Sequence, residues 1–196
     1  MILSRFYRLA MFCAIASATV AVVIGFAVWE GWTTTLFDTL FLLYAPVAIP
    51  VYLASATLPQ RTDSQLVFGI VAVGIIGALL TAYSLQFDIE IGFSAAQFSQ
   101  SAYFVLVAAR TRKHHRLLAS TALTQASTSG LFGLLAWSGY LLRILGGGPV
   151  LNIVSAQDAL LPVLYIHYFG AAPLFFLLLA NEFRHLNDAR AQLDTQ

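Results

Sequence analysis

Long apolar stretches separated by short polar joints dominate the chain. Six stretches, at 9–29, 35–57, 66–87, 91–109, 125–145 and 159–180, are each mostly hydrophobic. A helix of about 20 such residues crosses roughly 30 Å of hydrocarbon, so the pattern predicts six transmembrane helices. The fold class expected is all-α: a polytopic membrane protein formed as one bundle over residues 1–182. Beyond it, Phe183, Leu186, Ala189 and Leu193 recur at helical spacing, which predicts a cytoplasmic amphipathic tail over 183–196. The first stretch begins after Arg5 and Arg8 but is longer than a signal-peptide core, and its small residues lie within it, so it reads as an uncleaved span. The fourth stretch is interrupted by polar residues, Ser94, Gln97, Ser99, Gln100 and Ser101.

Charge then orients the bundle. If the N-terminus is cytoplasmic, nine of the ten Lys and Arg residues fall on the same side: Arg5, Arg8, Arg61, Arg110, Arg112, Lys113, Arg116, Arg184 and Arg190. Only Arg143 falls outside, where it snorkels outward or pairs with Asp158. Basic residues concentrate in cytoplasmic loops of membrane proteins, so both termini are expected inside, in the inner membrane of a bacterium. The opposite face collects Glu30, Asp38, Asp88, Glu90 and Asp158, and Trp29 and Trp32 mark its interface. Composition agrees: 59% of residues are hydrophobic and only 10% charged, with a mean hydropathy of +0.80. The expected partners are the bilayer and either another membrane protein or a second copy of the chain. A net charge of +1 without a long basic stretch argues against nucleic acid, and a single cysteine, Cys13, excludes a disulfide framework.

Close helix approach has a visible basis. Ser17, Ala21 and Gly25 repeat every four residues, as do Gly74 and Ala78, and small residues at that spacing let backbones meet. Pro46 and Pro50 release the carbonyls of Leu42 and Pro46, which in lipid need a partner, so this face of the second helix is expected to look into the bundle. The Ser94, Gln97, Gln100 and Ser101 face is expected to look inward for the same reason.

At about 1.5 Å per residue, Tyr44, Gln100 and His167 all fall near mid-depth. His167 is the one ionisable residue clearly there, flanked by Tyr165 and Tyr168 and bracketed by Pro162 and Pro173. Such a residue is either a ligand or proton carrier, or a neutral imidazole bonded to a neighbouring helix that keeps the bundle in register. A haem bound here would need Met11, a second copy or an open axial position, because a lone histidine supplies one ligand. A further group lies at the cytoplasmic face: His114, His115, Glu182 and His185 include the donor types of a divalent-metal site. The basic residues around them favour a solvated loop that touches anionic headgroups instead. No Gly-x-Ser-x-Gly, His-Glu-x-x-His or P-loop occurs, which points away from an enzyme.

Residues 94–190 carry a span ending in a basic loop with His115-Arg116, a helix with Tyr140-Leu141, a glycine-rich loop at Gly146 to Gly148, and a last helix with His167 and Pro173-Leu174. In these features the half-chain resembles the small multi-helix membrane proteins linked to cytochrome oxidase assembly. It departs from them in Ala119, where the family has methionine, in two extra leading helices, and in lacking a further helix at the end. The resemblance implies that His115 and His167, and at one remove His185, act as haem or metal ligands. It favours a non-catalytic membrane factor of the respiratory-assembly kind. The polar fourth helix and the two prolines suggest instead a small-solute or ion transporter, and the amphipathic tail a membrane sensor or regulatory module.

Overall fold

A computed structural model describes residues 2–30, 34–58, 64–84, 89–145 and 161–193. Among them the only extended elements are six helices: α1 (Ile2–Trp29), α2 (Thr34–Ser55), α3 (Ser64–Ser84), α4 (Ile89–Thr111), α5 (Arg116–Ile144) and α6 (Leu161–Leu193). Each predicted span has its helix, but the boundaries shift at the polar ends. α5 begins nine residues before the apolar stretch at 125, since Ser120, Thr121 and Thr124 turn their hydroxyls onto carbonyls of their own helix and sit in it without outside partners. α6 continues through the tail without a break, and Phe183 is buried in the core.

Consecutive helices are antiparallel neighbours. α1 packs on α2, α2 on α3, α3 on α4 and α4 on α5, while α6 lies along α1 and also meets α5, closing the ring. The centre is aromatic. Tyr52 of α2, Tyr103 and Phe104 of α4, and Phe175 and Phe176 of α6 meet edge-on, with ring centroids from 4.5 to 6.4 Å apart. Their polar tips are served locally: the Tyr103 hydroxyl donates to Ser55 Oγ at 3.0 Å, and Ser55 donates to the Tyr52 carbonyl at 2.8 Å.

Small residues set the approach of the outer helices. A Cβ on Gly74 would stand 2.8 Å from the Tyr52 ring, and one on Gly25 would stand 2.9 Å from Tyr168 Cβ, so α3 and α1 come as close as they do through these two glycines. The prolines of α2 behave otherwise than their freed carbonyls suggested. Pro46 is exposed and Pro50 half-buried, because Tyr44, Ala48, Val51 and Ser55 form the inward face and the prolines lie about 200° round the helix from Tyr44 and Ala48.

One end of the bundle is basic. The Tyr7 hydroxyl of α1 donates to Thr57 Oγ1 beyond α2 at 3.0 Å, Arg110 of α4 donates through Nε and Nη2 to the Leu58 carbonyl at 3.0 and 2.7 Å, and His115 before α5 stands 3.2 Å from Glu182 of α6. These contacts bring together the helix ends that carry Arg5, Arg8, Arg110, Arg112, Lys113, Arg116, Arg184 and Arg190. Glu90, in the first turn of α4, Asp38, one turn into α2, and Glu30, just past α1, belong to the other end. Arg61, Trp32, Asp88, Asp158 and the Gly146 to Gly148 loop lie outside the described residues, as do the side chains of Trp29 and Arg143. By length and composition, two helices could cross a membrane, Leu3–Ala27 and Leu161–Leu193, with shorter apolar helices at Pro46–Ser55 and Val67–Leu80. A core helix of a soluble protein meets the same criterion, as does a signal sequence, so the number of spans turns on surface chemistry.

Candidate functional site

The polar residues of α4 and α5 face each other along a seam. Ser94 Oγ donates to the Gly133 carbonyl at 2.9 Å, and two turns on, Ser101 Oγ donates to the Ala126 carbonyl at 2.8 Å. These two bonds fix the antiparallel register, and Gln97 lies between them on α4, where a Cβ on Gly133 would stand 3.3 Å from its own Cβ. Gln97 and Ser129 are both buried, and neither Gln97 Oε1 nor Ser129 Oγ has a hydrogen-bond partner. Gln100 is buried too but looks elsewhere: a Cβ on Gly77 of α3 would lie 3.6 Å from its Cγ. The polar face expected on α4 is therefore divided, with Ser94, Gln97 and Ser101 toward α5 and Gln100 toward α3.

His167 sits where α6 departs from α-helical geometry. Residues Ile166–Ala171 form a π-helical turn, in which the Ala172 N–H reaches the His167 carbonyl, five residues back. Pro173 follows directly. Its ring would press on the carbonyl four residues earlier, and widening the turn ahead of it relieves that contact. The turn buries His167 and Tyr168 while Gly25 receives Tyr168 and Phe169 from the α1 side.

The His167 ring packs edge-on against Phe132 of α5, with centroids 5.2 Å apart, and against Tyr168 at 4.6 Å. Its Nδ1 lies 2.7 Å from Thr128 Oγ1. That hydroxyl is also 3.1 Å from the carbonyls of Thr124 and Gln125 and owns a single proton. With the proton on a backbone carbonyl, Nδ1–H donates to the hydroxyl and Nε2 keeps a lone pair free for a ligand. With the proton on Nδ1, Nε2 carries the hydrogen and cannot ligate. Two carbonyls compete for that proton, which favours the first arrangement.

Apart from Gln97 and Gln100, the sequence-predicted residues separate into four places. His167 stands against α5, while Tyr168, in contact with its ring, packs on α1 beside Ala21, Ile24 and Gly25. Tyr165 is half-buried and stacks on Phe169 at 5.7 Å. Tyr44 is buried in the aromatic centre, its hydroxyl 3.5 Å from that of Tyr52 and its ring near Phe176. The group at the basic end comes together only in part: His115 pairs with Glu182, while His114 and His185 are exposed, and no three His, Cys, Asp or Glu side chains among the described residues are placed to hold a metal ion. A metal there would have at most the His115 and Glu182 donors.

Sequence reasoning passed over Thr128 and Phe132, the residues that hold the His167 ring. Their signal was a stripe on α5: Thr121, Gln125, Thr128 and Phe132 recur at i, i+4, i+7 and i+11, and all four are buried. The chain matches no protein-family model, no curated protein and no solved structure.

Proposed function

We propose that this chain is an integral protein of a bacterial cytoplasmic membrane that crosses the bilayer six times with both termini inside and serves as a non-catalytic membrane factor. The observation that carries the reading is an apolar exterior, around a core that holds polar side chains as well as aromatic ones. Large apolar side chains cover the outside: Phe12 is 59% exposed, Phe68 74%, Leu79 60% and Leu134 57%, and Ile15, Val105, Leu123 and Leu177 are also exposed. The inside holds Ser17, Ser94, Gln97, Gln100, Gln125, Thr128, Ser129 and His167. In water such a surface would drive association, whereas in lipid it is matched to its solvent. The basic end supports the orientation, because eight cationic side chains gather at the faces where α1 and α5 begin and α2, α4 and α6 end. Reporter fusions at residue 114 and at both termini should all give the cytoplasmic signal. A periplasmic signal at 114 would remove at least one span.

Within this reading, the ligand-binding part of the work falls to His167. The resemblance to oxidase-assembly proteins favours haem or a metal, and His167 offers one donor through Nε2, so a second axial ligand would come from another residue, a partner protein, another copy or solvent. Protein purified after haem supplementation should show a Soret band that His167→Gln abolishes while the variant still folds. No band in the wild type would sink the haem assignment and leave the membrane topology standing.

A second reading, transport of a small solute, draws on the α4–α5 seam, whose buried Gln97 and Ser129 carry unpartnered oxygens between two hydrogen-bonded rungs. Flux into proteoliposomes that Gln97→Leu eliminates would favour it over a static factor.

A further inference from the structure

The turn between α4 and α5 concentrates four cationic residues, Arg110, Arg112, Lys113 and Arg116, within seven positions, and the fold gives them different tasks. Arg110 is turned inward and buried, with its guanidinium on the Leu58 carbonyl. Arg112, Lys113 and Arg116 are all exposed. The turn is held by its own backbone: Arg112 N–H donates to Ala108, and the N–H groups of His114 and His115 both donate to Thr111, at 2.8 to 3.0 Å. The three exposed cations are therefore carried on a fixed support rather than a loose loop.

The nearby acids are already engaged. Glu182 lies against His115 at 3.2 Å, and Asp188 is 3.9 Å from Arg184 one turn along its own helix. Among the described residues no carboxylate neutralises Arg112, Lys113 or Arg116. From the second residue of α5 apolar side chains reach the surface: Leu117 is exposed, Leu123 follows, and Leu131 and Leu134 continue along the helix. Ser120, Thr124 and Ser127 share this exposed side, but each hydroxyl is bonded to a carbonyl of α5, so they offer lipid no unsatisfied donor.

We infer that the α4–α5 turn is a binding site for an anionic phospholipid, with Arg112, Lys113 and Arg116 on the headgroup phosphate and the exposed leucines of α5 beside its acyl chains. A soluble phosphate would use the cations alone, whereas the step from an uncompensated basic collar to an apolar helix face within one turn fits a molecule with both parts. The inference rests on the membrane reading above and adds to it a lipid class and a place.

The test compares the full chain in nanodiscs of phosphatidylcholine with and without phosphatidylglycerol, and counts co-purified lipid by native mass spectrometry. The wild type should retain phosphatidylglycerol in preference to phosphatidylcholine. Each basic residue near an anionic surface adds about 1 kcal/mol, so the variant Arg112→Gln/Lys113→Gln/Arg116→Gln should weaken that preference about a hundredfold. Arg184→Gln, which removes a cation already beside Asp188, should leave it nearly unchanged. Equal loss in both variants would overturn the site, since it would show general attraction to the basic end. Displacement of the retained lipid by millimolar inorganic phosphate would overturn the lipid assignment in favour of a soluble anion. Extraction of membranes with alkaline carbonate separates the two layers of argument. A wild type that resists extraction yet shows no lipid preference overturns this inference alone, while release by carbonate overturns the membrane reading and the lipid site with it.

Discussion

Two glycines and one threonine carry more of this fold than their size suggests. Gly74 admits the Tyr52 ring, so Gly74→Val would force two backbones apart or drive Tyr52 from the aromatic centre. Overpacking of this kind costs about 1–3 kcal/mol, and the thermal midpoint of the purified variant in detergent should fall accordingly. Thr128 is the hydrogen-bond partner of His167. In Thr128→Val the shape survives but the buried imidazole loses that partner, at a cost of about 1–3 kcal/mol, whereas Thr128→Ser should remain close to the wild type. If Val and Ser variants unfold at the same temperature, the contact has no energetic weight, and the register-keeping role of His167 goes with it.

At the scale of elements, the α4–α5 pair shows how a polar helix is accommodated in an apolar setting. Its serines reach across to carbonyls of the partner helix, and the residues opposite them are small. Interhelical bonds of this type average about 0.6 kcal/mol, so Ser94→Ala and Ser101→Ala should each have a small effect. Because they lie two turns apart and share no partner, the double variant should show the sum of the two, read from unfolding in mixed micelles. A double effect much larger than the sum would mean that the seam opens as a unit once both rungs are gone. α6 accommodates a different constraint: Pro173 is followed by apolar packing that must continue to Phe183, and the widened turn at Ile166–Ala171 absorbs the proline without ending the helix.

For the molecule as a whole, the informative feature is which residues meet the surroundings. Leu134 lies on the outward side of α5, near the middle of its apolar stretch. On a soluble protein, Leu134→Arg would be harmless or would improve solubility. In a bilayer the same change places a charge near mid-depth, which costs about 2.5–3.5 kcal/mol for insertion. Expression of the variant should therefore give less membrane-inserted protein, measured by fractionation, while Leu134→Phe inserts normally. Insertion unaffected by Arg at this position would count heavily against a lipid-facing α5.

How much of this was legible beforehand follows from the range of the forces involved. Helix number and type were written in apolar runs, because a 20-residue apolar segment has few ways to satisfy its backbone other than as a helix. The small-residue repeats of α1 and α3 were equally local, and Gly25 and Gly74 do sit at close contacts. The gathering of basic residues at one end also follows from the chain, since antiparallel neighbours with short joints return to the same face on every second connection. What periodicity could not decide was rotation about each helix axis when several faces offered a rationale. Pro46 turned outward because Tyr44 and Ala48 bury more favourably on the inner side, and Gln100 parted from Gln97 because α4 is packed on both α3 and α5. The partner of His167 likewise required tertiary structure. Thr128 is 39 positions away, and only the docking of α6 on α5, with a π-helical turn setting the rotation of the ring, determines that this hydroxyl and no other receives it.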